Sequence, residues 1–150
     1  MRKIFEPDFL KYEGVRRINI YLLKMVFLLM FLFLGMDAWS AIFSMRNEWN
    51  PAEAAAWCIW AAFAVLSIFG FLRPLIFIPL LLLEIVYKLI WLIIVAYPIW
   101  STNSLVGSSA EKMTYAFLWV ILPIIAIPWG YTIRKFLIGR PYDPTRRGKD

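Results

Sequence analysis

From Met25 to Met36 the chain carries no charge, and its apolar pattern continues past Asp37 to about Phe43. At ~1.5 Å rise per residue, a helix over residues 21–44 is long enough to cross a hydrocarbon core ~30 Å thick. Further runs of this kind follow it, and they decide the fold class. Of the 150 residues 62% are hydrophobic, whereas a soluble domain has ~45–50%. A water-soluble chain of this size buries only ~70% of its surface, so lipid is the solvent that accepts the remainder. A cleaved leader with residues 25–36 as its apolar region is the rival reading. The long segment before it and the poor cleavage sequence Ala38-Trp39-Ser40-Ala41 speak against that.

Asn50-Pro51-Ala52-Glu53 has the form of a helix start, with Asn as the cap, Pro first and Glu third. It opens a second helix over 51–72, rich in Ala at positions 54, 55, 56, 61, 62 and 64. Small residues let a neighbouring helix approach closely in lipid, although plain helix propensity explains them equally well. Gly70-Phe71-Leu72-Arg73-Pro74 is a tight turn. A third helix follows over 75–100, a loop over 101–112, and a fourth helix over 113–133. The expected fold is an all-α membrane protein: a bundle of four transmembrane helices over residues 21–133, between a basic segment at 1–20 and a basic tail at 134–150.

Positive charge sets the orientation. Arg2, Lys3, Lys11, Arg16, Arg17 and Lys24 precede or open helix one, Arg73 sits in the turn, and Arg134, Lys135, Arg140, Arg146, Arg147 and Lys149 follow helix four. The other two connections hold only Arg46 and Lys112. Lys and Arg accumulate on the cytoplasmic side, so both termini and Arg73 are expected there. Trp39, Trp49, Trp57 and Trp100 then fall near the outer interface and Trp129 and Tyr131 near the inner one. Arg73, Arg134 and Lys135 are the expected headgroup anchors. The tail's attraction to anionic lipid competes with a plain topological role.

Several function classes drop out. The net charge of +6 flanks apolar runs, so it reads as topology and not as a nucleic-acid surface. Cys58 is the single cysteine and there is no histidine. Intrachain disulfides, paired-thiol chemistry, haem ligation by His and the usual zinc sites are therefore excluded. No nucleophile and base stand in a recognisable arrangement, so catalysis ranks last, and no cofactor is expected.

Helix three holds the exception to the apolar pattern. Counted from the Arg73 turn, Glu84 lies ~15 Å and Lys88 ~21 Å into the core. Each costs ~2.5–3.5 kcal/mol near a helix centre, which the surrounding apolar residues outweigh. Spaced four apart with Glu first, they suit an ion pair on the face that carries Phe77, Leu81, Trp91 and Val95. Asp37 falls within a few ångströms of the depth of Lys88, so Lys88 is expected to be shared between Glu84 and Asp37. Tyr87 and Trp91 are candidate lining residues. Two readings remain open: a proton or cation relay or a polar pocket for a lipid or quinone headgroup, and a charge network that fixes helix register. Pro79, Pro98, Pro123 and Pro128 each remove a backbone donor, which bends a helix or frees a carbonyl for a ligand.

Trp49-Asn50-Pro51, Arg73-Pro74-Leu75, Pro79, Glu84, Tyr87-Lys88, Trp91, Tyr97-Pro98-Ile99-Trp100 and Pro128-Trp129-Gly130-Tyr131 together resemble a group of small bacterial four-helix inner-membrane proteins with no assigned activity. The likeness runs from the end of helix one to helix four, and the stretch from Glu84 to Trp91 is its most specific part. It implies a bacterial inner membrane and four spans, and brings no reaction with it. The size is also similar to that of DoxX-like four-helix proteins, but their paired redox Cys is missing. The expected role is an accessory or assembly subunit whose partners are the lipid bilayer and another membrane protein, or a second copy of itself. The alternative is a small proton-coupled carrier using Asp37, Glu84 and Lys88.

Overall fold

A computed structural model describes residues 7–8, 12–44 and 50–139. Charges at Arg2, Lys3, Lys11, Arg46 and in the tail from Arg140 onward, and the interfacial Trp49, lie outside the described residues. The described chain is helical apart from a short hairpin, in which β1 (Pro7–Asp8) pairs antiparallel with β2 (Val15–Arg16). Glu13 and Gly14 make its turn with φ of 51° and 82°, a left-handed conformation that glycine adopts at little cost. The hairpin stands where a basic segment leading directly into a helix was expected.

Five helices follow: α1 (Arg17–Ser44), α2 (Pro51–Leu72), α3 (Ile78–Ser101), α4 (Glu111–Ala126) and α5 (Trp129–Phe136). The first three are each long and apolar enough to cross a membrane, and α4 with α5 makes a fourth if the bent pair counts as one. At the start of α2, Asn50 Oδ1 accepts from the Ala52 amide at 3.0 Å and Pro51 takes the first position. The cap therefore has the expected form, but Glu53 does not reach back to complete a capping box; Trp57 Nε1 donates to it at 3.4 Å instead.

Small residues decide how α1 meets α2. Ala61, Ala64, Ser67 and Gly70 are all buried, three residues apart on one stripe. A Cβ built on Gly70 would stand 2.5 Å from ring carbons of the fully buried Phe27. Only glycine lets that ring seat there, and close approach supplies the dispersion contacts that hold helices together in lipid. At the other end of the crossing, Gly35 faces Ala64. Of the Ala residues expected to serve this contact, Ala61 and Ala64 do so and Ala55 and Ala62 are exposed.

The largest departure from expectation is helix four, which is not a straight span over 113–133. Its two parts diverge by 76°. Proline disfavours the helical conformation for the residue before it, and Ile127 is accordingly extended (φ −66°, ψ 125°). Trp129 Nε1 then folds back to the Ile124 carbonyl at 2.8 Å. Pro123 also acts inside α4: it cannot donate to the Trp119 carbonyl, which accepts from Leu122 at 3.0 Å in a tightened turn. Pro98 in α3 follows a widened turn in which the Tyr97 amide reaches the Leu92 carbonyl, five residues back. Pro79 sits harmlessly in the first turn of α3.

Candidate functional site

Successive helices run antiparallel, as the contacts show: Phe69 stacks near Phe77, Phe63 lies against Tyr87, and Asn19 Nδ2 donates to the Ala126 carbonyl at 3.3 Å. Ser44, Pro51, Ser101 and Glu111 therefore lie toward one end of the molecule and Arg73 toward the other. Between the helices is a cavity of about 890 Å³. The face of α1 that lines it carries Val26, Met30, Phe33, Asp37 and Ser40, at the spacing of successive helical turns. Trp57 and Trp60 come from α2, Glu84, Tyr87 and Lys88 from α3, and Lys112, Ala116, Phe117 and Pro123 are among those from α4.

Glu84 and Lys88 pair as their spacing suggests, with Lys88 Nζ donating to Glu84 Oε1 at 2.5 Å. Glu84 is 3% exposed, and its Oε2 is buried without a hydrogen-bond partner. Phe117 is the hub beside this pair. Its ring lies 5.8 Å below the Lys88 ammonium and makes edge contacts with Tyr87 at 5.6 Å, Trp91 at 5.0 Å and Trp60 at 6.3 Å. The ring faces add a cation–π attraction in surroundings where little water competes.

Asp37 lines the same cavity, but Lys88 is not shared with it: the ion pairs among the described residues join Lys88 to Glu84 and Lys135 to Glu13. Depth alone had suggested the shared cation. The cavity keeps α1 and α3 apart at this level, and Glu84, one turn away on the same helix, takes the ammonium. Asp37 is exposed. Tyr87 lines the cavity, while Trp91 stands behind Phe117 and does not.

The headgroup-anchor candidates lie at the opposite end. Arg73 is exposed and closes α2 through its amide to the Phe69 carbonyl at 2.8 Å. Arg134 Nε donates to the Gly130 carbonyl at 2.9 Å. Lys135 Nζ bonds Glu13 Oε2 at 2.8 Å and the Tyr131 hydroxyl at 2.6 Å, and that hydroxyl donates to Glu13 at 3.0 Å. Burial works against ionisation of Glu13, yet the hydrogen bonds from Lys135 and Tyr131 outweigh it and hold the carboxyl below its ordinary range. This cluster ties the N-terminal hairpin to α5.

Trp60 and Phe117 were not singled out from the sequence, and Trp57 was expected at the outer interface and Lys112 in a loop, neither of them at this cavity. An aromatic on an apolar helix looks like any lipid-facing side chain, and Lys112 reads as a loop charge. Among the described residues no group of three His, Cys, Asp or Glu side chains is placed to hold a metal ion, and Cys58 is exposed. Comparisons with protein-family models, curated proteins and solved structures find no match.

Proposed function

We propose that this chain is a four-span protein of a bacterial inner membrane, with both termini cytoplasmic, that binds a lipid-like amphiphile and serves as an accessory subunit to other membrane proteins. The observation that carries this reading is the cavity between α1, α2, α3 and α4, which combines apolar walls with the charges of Asp37, Glu84, Lys88 and Lys112. Such a mixture suits a molecule with a polar head and a hydrocarbon body. The excess of Lys and Arg around the termini and Arg73 supports the orientation. In this reading α4 and α5 together make the fourth span, broken by the 76° bend, and Arg134 and Lys135 on α5 meet the cytoplasmic headgroups.

Native mass spectrometry of the chain extracted in mild detergent tests the proposal. A one-to-one lipid adduct is expected, and Ala116→Phe, which fills the cavity from α4, should abolish it. A bare wild-type chain would overturn the reading.

The orphaned Glu84 Oε2 favours a second reading, a proton-coupled carrier, because ionisable side chains inside a membrane commonly mark ion and proton pathways. Proton flux into liposomes that contain only this chain, lost in Glu84→Gln, would establish it over the first.

A further inference from the structure

Asp37 and Lys112 both line the cavity, and among the described residues neither side chain makes an ion pair or hydrogen bond, with the other or with any third group. Two unpaired charges of opposite sign on the walls of one cavity form a pattern that a ligand can complete. Their level is informative. Phe117 lies beside the Lys88 ammonium, and Lys112 is five residues nearer the start of α4, about 7.5 Å of helical rise. Asp37 and Ser40 are the lining residues of α1 nearest that same end, and Trp57 is the nearest on α2. Moving inward, the walls run from Asp37 and Lys112, past the Glu84–Lys88 pair, to Val26, Leu122 and Pro123.

We infer that the occupant is a zwitterionic, amine-bearing glycerophospholipid, with its ammonium on Asp37, its phosphate on Lys112 and its acyl chains toward Val26 and Pro123. This deepens the amphiphile-binding reading above and rests on it. An ammonium has three donors. Lys88 spends one on Glu84 and has others to offer an ester carbonyl, which in such a lipid lies one headgroup length inward of the phosphate. The four cavity charges sum to zero, so a neutral head with separated charges leaves none of them unmatched. In a phosphatidylglycerol the phosphate meets Lys112 as before but no cation reaches Asp37, and a diglyceride would leave both Asp37 and Lys112 without a partner. Selectivity therefore comes from the cavity charges that each wrong head leaves unmatched.

The test uses the full chain in mild detergent and three lipids with identical acyl chains: a phosphatidylethanolamine, a phosphatidylglycerol and a diacylglycerol. Saturable thermal stabilisation by the first is expected at a concentration about tenfold lower than by either of the others. Asp37→Asn should erase the preference over phosphatidylglycerol, and Lys112→Gln should reduce the preference over diacylglycerol, which only the two changes together erase. Both residues are exposed, so helix content and elution volume should be unchanged. The exchanged double variant, Asp37→Lys with Lys112→Glu, should again prefer phosphatidylethanolamine, bound with its head reversed. Equal binding of the three lipids, or a preference for the anionic one, overturns this assignment while leaving amphiphile binding intact. Failure of all three to bind saturably removes both.

Discussion

Lys88 Nζ donates to Glu84 Oε1 at 2.5 Å and leaves Oε2 of the same carboxylate buried without a partner. Breaking a buried pair from one side strands the other charge, at about 3–5 kcal/mol, whereas replacing both members by apolar residues is often close to neutral. Lys88→Met should therefore destabilise the protein more than the double variant Glu84→Leu with Lys88→Met. Unfolding in mixed micelles measures both, and a double variant weaker than Lys88→Met would contradict this description of the pair.

Gly70→Ala should cost about 1–3 kcal/mol, the usual range for overpacking a tight contact, because the added methyl meets a ring that has no room to retreat. Phe27→Leu in the same chain should recover part of the loss, since the two sites are in direct contact. A thermal unfolding series of the two single variants and the double variant checks this, and strictly additive effects would show that the two residues do not meet.

The tie between Glu13 and Lys135 should be sensitive to acid. A carboxyl held below its ordinary pKa stabilises the folded state at neutral pH, and that contribution is lost as pH falls through the depressed value. Both side chains are more than a third exposed, so after solvent screening the tie is worth only about 0.2–1 kcal/mol. Spin labels at Arg16→Cys and Ile138→Cys, in a Cys58→Ser background, should show a distance distribution that broadens below the normal glutamate range and in high salt. A distribution indifferent to both would contradict it.

Pro128→Ala should release Ile127 into the helical region and let α4 and α5 straighten. Labels at Met113→Cys and Phe136→Cys in the same background should move apart toward ~35 Å, the length of an unbroken helix between them. An unchanged separation would mean that packing, and not the proline, holds the bend.

Much of the architecture was legible in the sequence because lipid imposes simple rules. Asn50 and Pro51 mark the start of α2 and Arg73 its end, so that helix has the bounds its residues indicate. Glu84 and Lys88 announce their pairing through spacing alone. The break at Ile127 did not show, because a proline inside an apolar run can kink a helix or end it, and only the neighbours decide which. Asp37 failed to reach Lys88 because equal depth says nothing about lateral distance across a cavity. Phe117 was invisible for a further reason: its role lies in four contacts to other helices, and none of them leaves a local pattern.

The most direct measurement is an experimental density map of the protein extracted from its own membrane into a nanodisc without delipidation. Elongated density is expected in the cavity, starting between Asp37 and Lys112, passing the Glu84–Lys88 pair and ending near Val26 and Pro123. A cavity closed by its own side chains, with α1 drawn against α3, would contradict the account.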